Sequence, residues 1–229
     1  MSNIILSNEN KKIINSLKNL GFNLIFSEEK RNLLSFERKH ADMQCLKIED
    51  TFFVLKSCKH IIDKLQILDK KVIETDKDIK GIYPENVLLN AVYIDSKLYC
   101  KEESLDFAVK KYCKNNNIEI VNINQGYTKC STAVFGDCFI TADKGIFKAI
   151  SENGVEGLLI ESGDISLPGA DYGFIGGSCF EYNNTAYFAG DISKHKNYHS
   201  IKDFLKKHNI CIVNLSEDKL YDIGGFIVV

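Results

Sequence analysis

An imidazole and a carboxylate stand two residues apart in the segment His40-Ala41-Asp42-Met43-Gln44, directly before a run of strand-forming residues. An imidazole can give or take a proton near neutral pH, and a carboxylate can pair with a cation. At the start of a strand, both side chains are expected to lie at one end of a sheet. The alternative interpretation of this segment is a surface histidine before a strand.

Two of the eight cysteines are candidate nucleophiles. Cys130 follows Lys129, whose positive charge is expected to favour the thiolate. Cys179 ends the segment Gly176-Gly177-Ser178-Cys179, where small neighbours allow close approach to the thiol. The alternative for each is a packed thiol, which is the common state of cysteines in apolar runs.

Two further carboxylates follow the apolar run GLLI in the segment Glu161-Ser162-Gly163-Asp164. A pair of carboxylates at the end of a strand can hold a planar cation between them. The alternative is a glycine-containing turn that carries acidic residues, which is common.

Composition and missing motifs exclude several classes of protein. The chain has 229 residues, 29 basic and 31 acidic, with a formal net charge of −2, so we expect one domain over residues 1–229 and no nucleic-acid partner. Phosphate-binding glycine loops and C-x-x-C pairs do not occur, which predicts no cofactor and no metal. The sequence also has no secretory signal and no apolar stretch of about 20 residues, which predicts a cytoplasmic protein with free thiols and no membrane partner.

Four segments of the chain share one order of elements, namely strand, tight turn, strand, helix and strand. Their turns lie at 49–50, 95–96, 136–137 and 183–184, so successive turns are 46, 41 and 47 residues apart. Runs rich in Val, Ile, Phe and Tyr predict the strands, and apolar residues at helical spacing predict the helices. The spacing therefore predicts a ββαβ unit that is repeated along the chain.

The two ends of the chain complete a fifth unit. The C-terminal residues YDIGGFIVV end in a strand, whereas SNIILS at the N-terminus is followed by a helix over Glu9–Leu20 and the strand FNLIF. Pairing of the terminal strands closes five units into a ring in which the first strands surround a central channel. The alternative is an ordinary α/β sandwich built from four such pieces.

Five ββαβ modules around a pseudo-fivefold axis resemble the pentein fold, an α/β propeller. Its members include arginine and agmatine deiminases, dimethylarginine dimethylaminohydrolase, amidinotransferases and a ribosome anti-association factor. The segments QGYTKCS, ITADKGI, YGFIGGS and GDISKH also resemble an uncharacterised clostridial-type family of this fold. The resemblance covers essentially the whole chain.

The resemblance implies roles for several candidate residues. The segment from His40 to Asp42 is similar to the H-x-D-T segment of arginine deiminases, where the His is the acid/base group and the Asp binds substrate. The segment from Glu161 to Asp164 is similar to their E-G-G-D segment. Their nucleophile lies in a C-terminal segment like G-G-x-H-C, whereas residues 224–228 here read GGFIV and contain no cysteine.

Two functions follow from these observations. The first is a thiol-dependent hydrolase or transferase that acts on a guanidino or amidino compound. Its nucleophile would be Cys130, or alternatively Cys179, and its acid/base group His40, while Asp42, Glu161, Asp164 and Lys129 would bind the substrate. The second is a non-catalytic module that binds a small cationic ligand or a macromolecule such as the ribosome. The sequence leaves the oligomeric state open.

Overall fold

Each repeat predicted from the hairpin turns folds as a three-stranded sheet with one helix in the computed structural model, which describes residues 2–229. The N-terminal segment contains β1 (Asn3–Leu6), α1 (Lys11–Asn19) and β2 (Asn23–Phe26). The first two complete units are β3 (Cys45–Ile48), β4 (Thr51–Val54), α2 (Lys59–Ile67) and β5 (Lys71–Glu74), and then β6 (Val92–Ile94), β7 (Lys97–Cys100), α3 (Phe107–Asn115) and β8 (Glu119–Asn122).

The second half of the chain repeats the same order of elements. The third unit is β9 (Thr132–Phe135), β10 (Cys138–Thr141), α4 (Lys144–Ser151) and β11 (Glu156–Leu159), and it is followed by the short strand β12 (Ile165–Ser166). The fourth unit is β13 (Cys179–Tyr182), β14 (Thr185–Phe188), α5 (Tyr198–Lys207) and β15 (Cys211–Asn214). The short strands β16 (Leu220–Tyr221) and β17 (Ile227–Val228) end the chain.

All four predicted hairpin turns are present. Asp95 and Ser96 have φ values of 50° and 58°, and Asn183 and Asn184 have φ values of 51° and 55°. Such left-handed pairs match the twist of two antiparallel strands, and Asn and Asp tolerate them better than most residues. Within each unit the second and third strands are parallel because a helix connects them.

The five helices pack against the sheets through one apolar face. In α4 the buried residues are Ile146 and Ile150, and the side chain of Asp143 caps the helix by accepting hydrogen bonds from the backbone N–H groups of Gly145 and Ile146. Asp143 thus satisfies the first N–H groups of α4 locally and fixes the residue at which the helix begins.

The chain termini pair with each other, as predicted. β1 is antiparallel to β17, with Ile4 opposite Val228 and Ile5 opposite Ile227, and it is parallel to β2. The order β17-β1-β2, with α1 between the last two strands, therefore completes a fifth ββαβ unit. The first strands contact one another around the axis, since β9 packs on β13, β13 on β17 and β17 on β3. These observations confirm the predicted pseudo-fivefold α/β propeller.

One pairing was not predicted. β12 and β16 form a parallel two-stranded sheet in which Ile165 lies opposite Leu220. This sheet joins the loop before β13 to the loop before β17. The residues that follow β16, including Asp222, therefore lie beside the residues that follow β12, at one end of the channel. None of the helices in residues 2–229 is long and apolar enough to cross a membrane.

We expect Ile5→Ala to lower the free energy of unfolding by about 2–5 kcal/mol, because Ile5 is fully buried in the strand that closes the ring. Chemical denaturation monitored by circular dichroism measures this change. The control is Leu20→Ala, which removes a half-exposed side chain and should change the stability by about 0.5 kcal/mol or less. Equal effects of the two variants would contradict ring closure by the N-terminal strand.

Candidate functional site

The loops that precede the first strands of the units meet at one end of the channel. A Cβ atom on Gly176 would lie 2.2 Å from the carbonyl oxygen of Lys129 and 2.7 Å from that of Cys130. A Cβ atom on Gly224 would lie 2.2 Å from Cγ of His40. Only glycine permits these approaches, because any side chain would collide with backbone or with the imidazole. The loops before β3, β9, β13 and β17 are therefore in direct contact.

A cavity of ≈ 330 Å³ opens between these loops. His40 and Cys130, the predicted acid/base group and nucleophile, both line it. The remaining lining residues are mainly apolar or aromatic, with two carboxylates, and comprise Leu34, Phe36, Glu37, Tyr127, Leu167, Ala170, Asp171, Tyr172 and Phe174. Such a mostly apolar cavity with a few polar groups is typical of a small-molecule site.

Aromatic rings form one side of the cavity. The rings of Tyr127 and Phe174 are stacked with centroids 6.4 Å apart, and Tyr172 meets Phe174 edge to face at 6.2 Å. Tyr83 continues the stack behind Tyr127, at 5.9 Å. Aromatic faces attract cations, so this wall favours a positively charged ligand.

Glu37 adds a buried negative charge to the same cavity. Glu37 is only 5% exposed. Its carboxylate accepts hydrogen bonds from the Tyr127 hydroxyl at 2.8 Å and from the Asn86 amide at 3.3 Å. The Asn86 amide also donates to the Tyr127 hydroxyl, at 2.8 Å. These contacts hold the carboxylate in one orientation at the wall of the cavity.

The Cys130 thiol is a protonated group in this environment. Cys130 is 3% exposed, its sulfur accepts a hydrogen bond of 3.0 Å from the Asn90 amide, and the Asp42 carboxylate lies beside it. Burial, followed by the charges of Asp42 and Asp222, raises the pKa of the Cys130 thiol well above its ordinary value.

Asp42 is fully buried behind Cys130 and next to His40. The pKa of Asp42 is raised from 3.8 to about 6, chiefly by burial. Asp222 also acts to raise it, while His40 and Lys129 act in the opposite direction. Among residues 2–229, neither carboxylate oxygen of Asp42 has a hydrogen-bond partner that meets normal geometry, and the same holds for Nε2 of His40. The carboxylate of Asp42 and Nε2 of His40 are therefore free to exchange a proton with a ligand or with the neighbouring thiol.

Asp222 is a site residue that the sequence reasoning missed. One of its carboxylate oxygens accepts a hydrogen bond of 2.9 Å from the backbone N–H of Gly224, and the other accepts one of 2.8 Å from that of Phe174. Asp222 thus links the loop before β17 to the aromatic wall. The available signal was an aspartate two residues before a glycine, which is typical of an Asx turn.

The sequence of this chain matches one known protein family. Residues 4–227 match the profile of DUF6873, described as a family of unknown function. The chain belongs to this family. No curated protein matches the sequence.

Solved structures place the DUF6873 chain in the pentein superfamily fold. Dimethylarginine dimethylaminohydrolase from Pseudomonas aeruginosa, in a mutant complexed with citrulline, superimposes with a TM-score of 0.58 at 8% identity and 99% and 98% coverage of this chain and that one. C. jejuni agmatine deiminase gives 0.57 at 10% identity, with 95% and 90% coverage. The product-bound N-terminal domain of ArgZ, an arginine dihydrolase from cyanobacteria, also gives 0.57 at 10% identity, with 98% and 94% coverage. At such identities the likeness shows the fold alone.

Lys129 does not produce the low thiol pKa that its position in the sequence suggested. Its ammonium group donates to the carbonyl oxygen of Gly176 at 3.3 Å and lines a second cavity of ≈ 190 Å³, farther along the first strands. The pKa of Cys130 is raised rather than lowered, because burial and then the charges of Asp42 and Asp222 raise it by more than the hydrogen bond from Asn90 lowers it.

The alternative nucleophile, Cys179, is packed in the core. Its thiol donates to the carbonyl oxygen of Ile175 at 3.2 Å, and burial raises its pKa to about 12. Cys179 does not line the cavity that contains His40. The structure therefore favours the interpretation of Cys179 as a packed thiol.

Glu161 and Asp164 lie apart from the cavity that contains His40 and Cys130. Glu161 is exposed, forms an ion pair of 3.6 Å with Lys196 and lines a neighbouring cavity of ≈ 140 Å³. Asp164 accepts a hydrogen bond of 3.1 Å from the backbone N–H of Lys196. Neither of these predicted substrate-binding carboxylates lines the cavity with His40 and Cys130, because the turn at Gly163 directs them toward the segment before α5. Instead, Glu37 and Asp42 supply the carboxylates near the thiol.

Asp42→Asn should stabilise the folded protein at pH 8 by up to about 3 kcal/mol, and the gain should fade as the pH falls from 6 to 4. The pKa of Asp42 rises from 3.8 in the unfolded chain to about 6 in the folded protein. The ionised carboxylate therefore lowers the stability of the folded protein above pH 6, whereas below pH 3.8 the group is protonated in both states and has no such effect. Urea denaturation across pH measures this difference. The exposed Asp203→Asn on α5 is the control, and a gain of the same size at pH 4 and pH 8 would contradict the prediction.

Proposed function

We propose that the cavity binds the guanidinium or amidinium group of a small molecule and that Cys130 attacks its central carbon. The observation that carries this proposal is that His40 and Cys130 line one cavity with the buried Glu37 carboxylate, while Asp42 lies beside the thiol. The pentein fold, which the chain shares with guanidino-modifying enzymes, supports the same substrate class.

Binding rests on Glu37 and the aromatic wall. A guanidinium ion is planar, carries several N–H donors and matches a carboxylate in two parallel hydrogen bonds. Its faces stack well on aromatic rings such as those of Tyr127 and Phe174. Asp171, at the exposed side of the cavity, adds a further negative charge that attracts a cation.

Activation of the thiol follows from the charges around it. A cation in the cavity favours the thiolate, since an opposite charge lowers the pKa of an acidic group. The pKa of Asp42 is about 6, so its carboxylate is largely ionised at pH 7 and can accept the thiol proton. Cys130 therefore becomes nucleophilic when a cationic substrate is present and stays protonated when the cavity holds none.

The chemistry proceeds in two steps. The Cys130 sulfur forms a bond to the guanidinium carbon, the bond from that carbon to the leaving nitrogen breaks, and His40 gives the leaving amine its proton. The product on the enzyme is a thiouronium. Attack of water then breaks the carbon–sulfur bond and releases a urea. The water gives one proton back to His40 and the other to solvent, while Asp42 returns the thiol proton to the Cys130 sulfur. An amine in place of water makes the reaction a transfer.

A second function is binding of the same cation without chemistry. It is favoured by the burial of Cys130 and by the Asn90 amide on its sulfur, because both hold the thiol in its protonated form. The two functions share the cation site and differ only in whether the thiol reacts.

We expect chloroacetamidine, a cationic alkylating agent, to label Cys130 at least about tenfold faster than neutral iodoacetamide near pH 7. The amidinium binds beside Glu37, and its positive charge lowers the pKa of the Cys130 thiol. The neutral reagent has neither effect. Peptide mass spectrometry over time measures both rates, with the exposed Cys211 as the internal reference for ordinary thiol reactivity. Slow labelling of Cys130 without preference between the reagents would contradict the catalytic proposal and leave the binding function.

Glu37→Gln should reduce the preference of Cys130 for chloroacetamidine by roughly tenfold or more while leaving its rate with iodoacetamide unchanged. The substitution removes the negative charge and keeps the shape of the side chain. Glu161→Gln is the matched control, since Glu161 lines the neighbouring cavity and pairs with Lys196. A larger effect from Glu161→Gln than from Glu37→Gln would show that the cation binds in the cavity lined by Glu161 and would contradict the proposal.

A further inference from the structure

Three side chains of metal-binding chemistry converge where the turn between β9 and β10 meets the end of α5. A carboxylate oxygen of Asp137, the sulfur of Cys138 and a ring nitrogen of His208 all lie within 4.8 Å of one another. Asp137 is in the turn, Cys138 begins β10 and His208 directly follows α5. The three residues therefore come from two neighbouring units of the ring.

The distance between the His208 and Asp137 side chains suits an ion between them. Nδ1 of His208 is 3.6 Å from Oδ1 of Asp137, which is longer than a hydrogen bond. Two ligands of one tetrahedral zinc ion, at bond lengths of about 2.0–2.3 Å, lie roughly 3.3–3.8 Å apart. Thiolate, imidazole and carboxylate are also the ligand types that zinc takes in proteins.

A fourth residue faces the other side of the imidazole. Nε2 of His208 is 3.5 Å from Oε2 of Glu156 and, among residues 2–229, has no hydrogen-bond partner of normal geometry. Metal-bound histidines usually donate the N–H of their second ring nitrogen to a carboxylate, which fixes the orientation of the ring. Glu156 occupies that position, and this is an observation independent of the three converging ligands.

The electrostatic surroundings also favour a cation. His208 lies at the C-terminal end of α5, where the unpaired carbonyl groups carry partial negative charge. Asp137 and Glu156 add two carboxylates, of which only Glu156 is paired with a lysine, Lys207. The side chain of Asp137 is largely exposed, whereas Cys138 is buried and its thiol donates a hydrogen bond of 3.2 Å to the carbonyl oxygen of Phe135, which metal binding would replace.

We propose that Asp137, Cys138 and His208 bind one divalent zinc-type ion through Oδ, Sγ and Nδ1, with Glu156 orienting the imidazole from Nε2. On binding, the Cys138 thiol releases its proton to solvent and the sulfur bonds to the metal; water takes the fourth position. The ion ties the hairpin of the third unit to the helix of the fourth. The proposal is independent of the guanidinium site.

Titration of the metal-free full chain with Co²⁺ tests the site. We expect one ion per chain, a thiolate-to-cobalt charge-transfer band in the near ultraviolet and visible bands of tetrahedral intensity, all removed by Zn²⁺. Zn²⁺ should also raise the thermal unfolding midpoint, because it binds the folded state.

Variants separate the ligands from the orienting residue. Cys138→Ser should abolish the charge-transfer band, and His208→Gln or Asp137→Asn should weaken Zn²⁺ binding by more than about tenfold. Glu156→Gln should weaken binding by about 10–100-fold while the band persists. The matched controls are Cys211→Ser, an exposed thiol, and His199→Gln, an exposed histidine on α5, which should both behave as the wild type.

Three results would overturn the proposal. These are the absence of saturable binding at one ion per chain, a charge-transfer band that survives in Cys138→Ser, and a band that disappears in Cys211→Ser. Because Cys138 is buried and its replacement can impair folding, the decisive pair is His208→Gln and Asp137→Asn. If both variants show wild-type circular dichroism and bind Zn²⁺ as tightly as the parent, the site does not exist.

Discussion

The burial of two carboxylates, Asp42 and Asp222, beside one thiol is the constraint around which the loops at this end of the propeller are arranged. Asp222 is satisfied by the backbone N–H groups of Gly224 and Phe174, which come from two different loops. A Cβ atom on Gly177 would lie 1.9 Å from the Asp222 carboxylate, so the chain must have glycine there. Loss of these close approaches would leave the Asp222 carboxylate either exposed or without its two backbone hydrogen bonds.

The same charges set the chemical state of the cavity. Burial, together with the charges of Asp42 and Asp222, disfavours the thiolate and holds Cys130 as a neutral thiol. Burial is also the main reason that the pKa of Asp42 is raised to about 6. Glu37 then presents a negative charge to the cavity itself. A cation is the ligand that relieves this accumulation of negative charge, so the electrostatics support the proposed guanidinium or amidinium class.

The fold was largely predictable because its signals are local. Turn residues such as Asn183-Asn184, strand-forming runs and amphipathic helices each depend on a few neighbours in sequence, and their regular spacing predicted the repeated unit. The site was predictable in part. His40 and Cys130 were both candidates from their local sequence, and the structure places both in one cavity. Glu37 and Asp222 were missed because they come from irregular loops, whose paths depend on contacts with other units.

The sequence by itself determined the order of elements, the hairpin turns, the pairing of the termini and the absence of a C-terminal cysteine. Only the tertiary structure decided which charges surround each candidate side chain. Lys129 is adjacent to Cys130 in the chain, yet the pKa of the Cys130 thiol is set by burial and by the charges of Asp42 and Asp222. Glu161 and Asp164 turn outward, toward Lys196. Backbone geometry follows from neighbouring residues, whereas a pKa depends on burial and on charges that folding brings from distant parts of the chain.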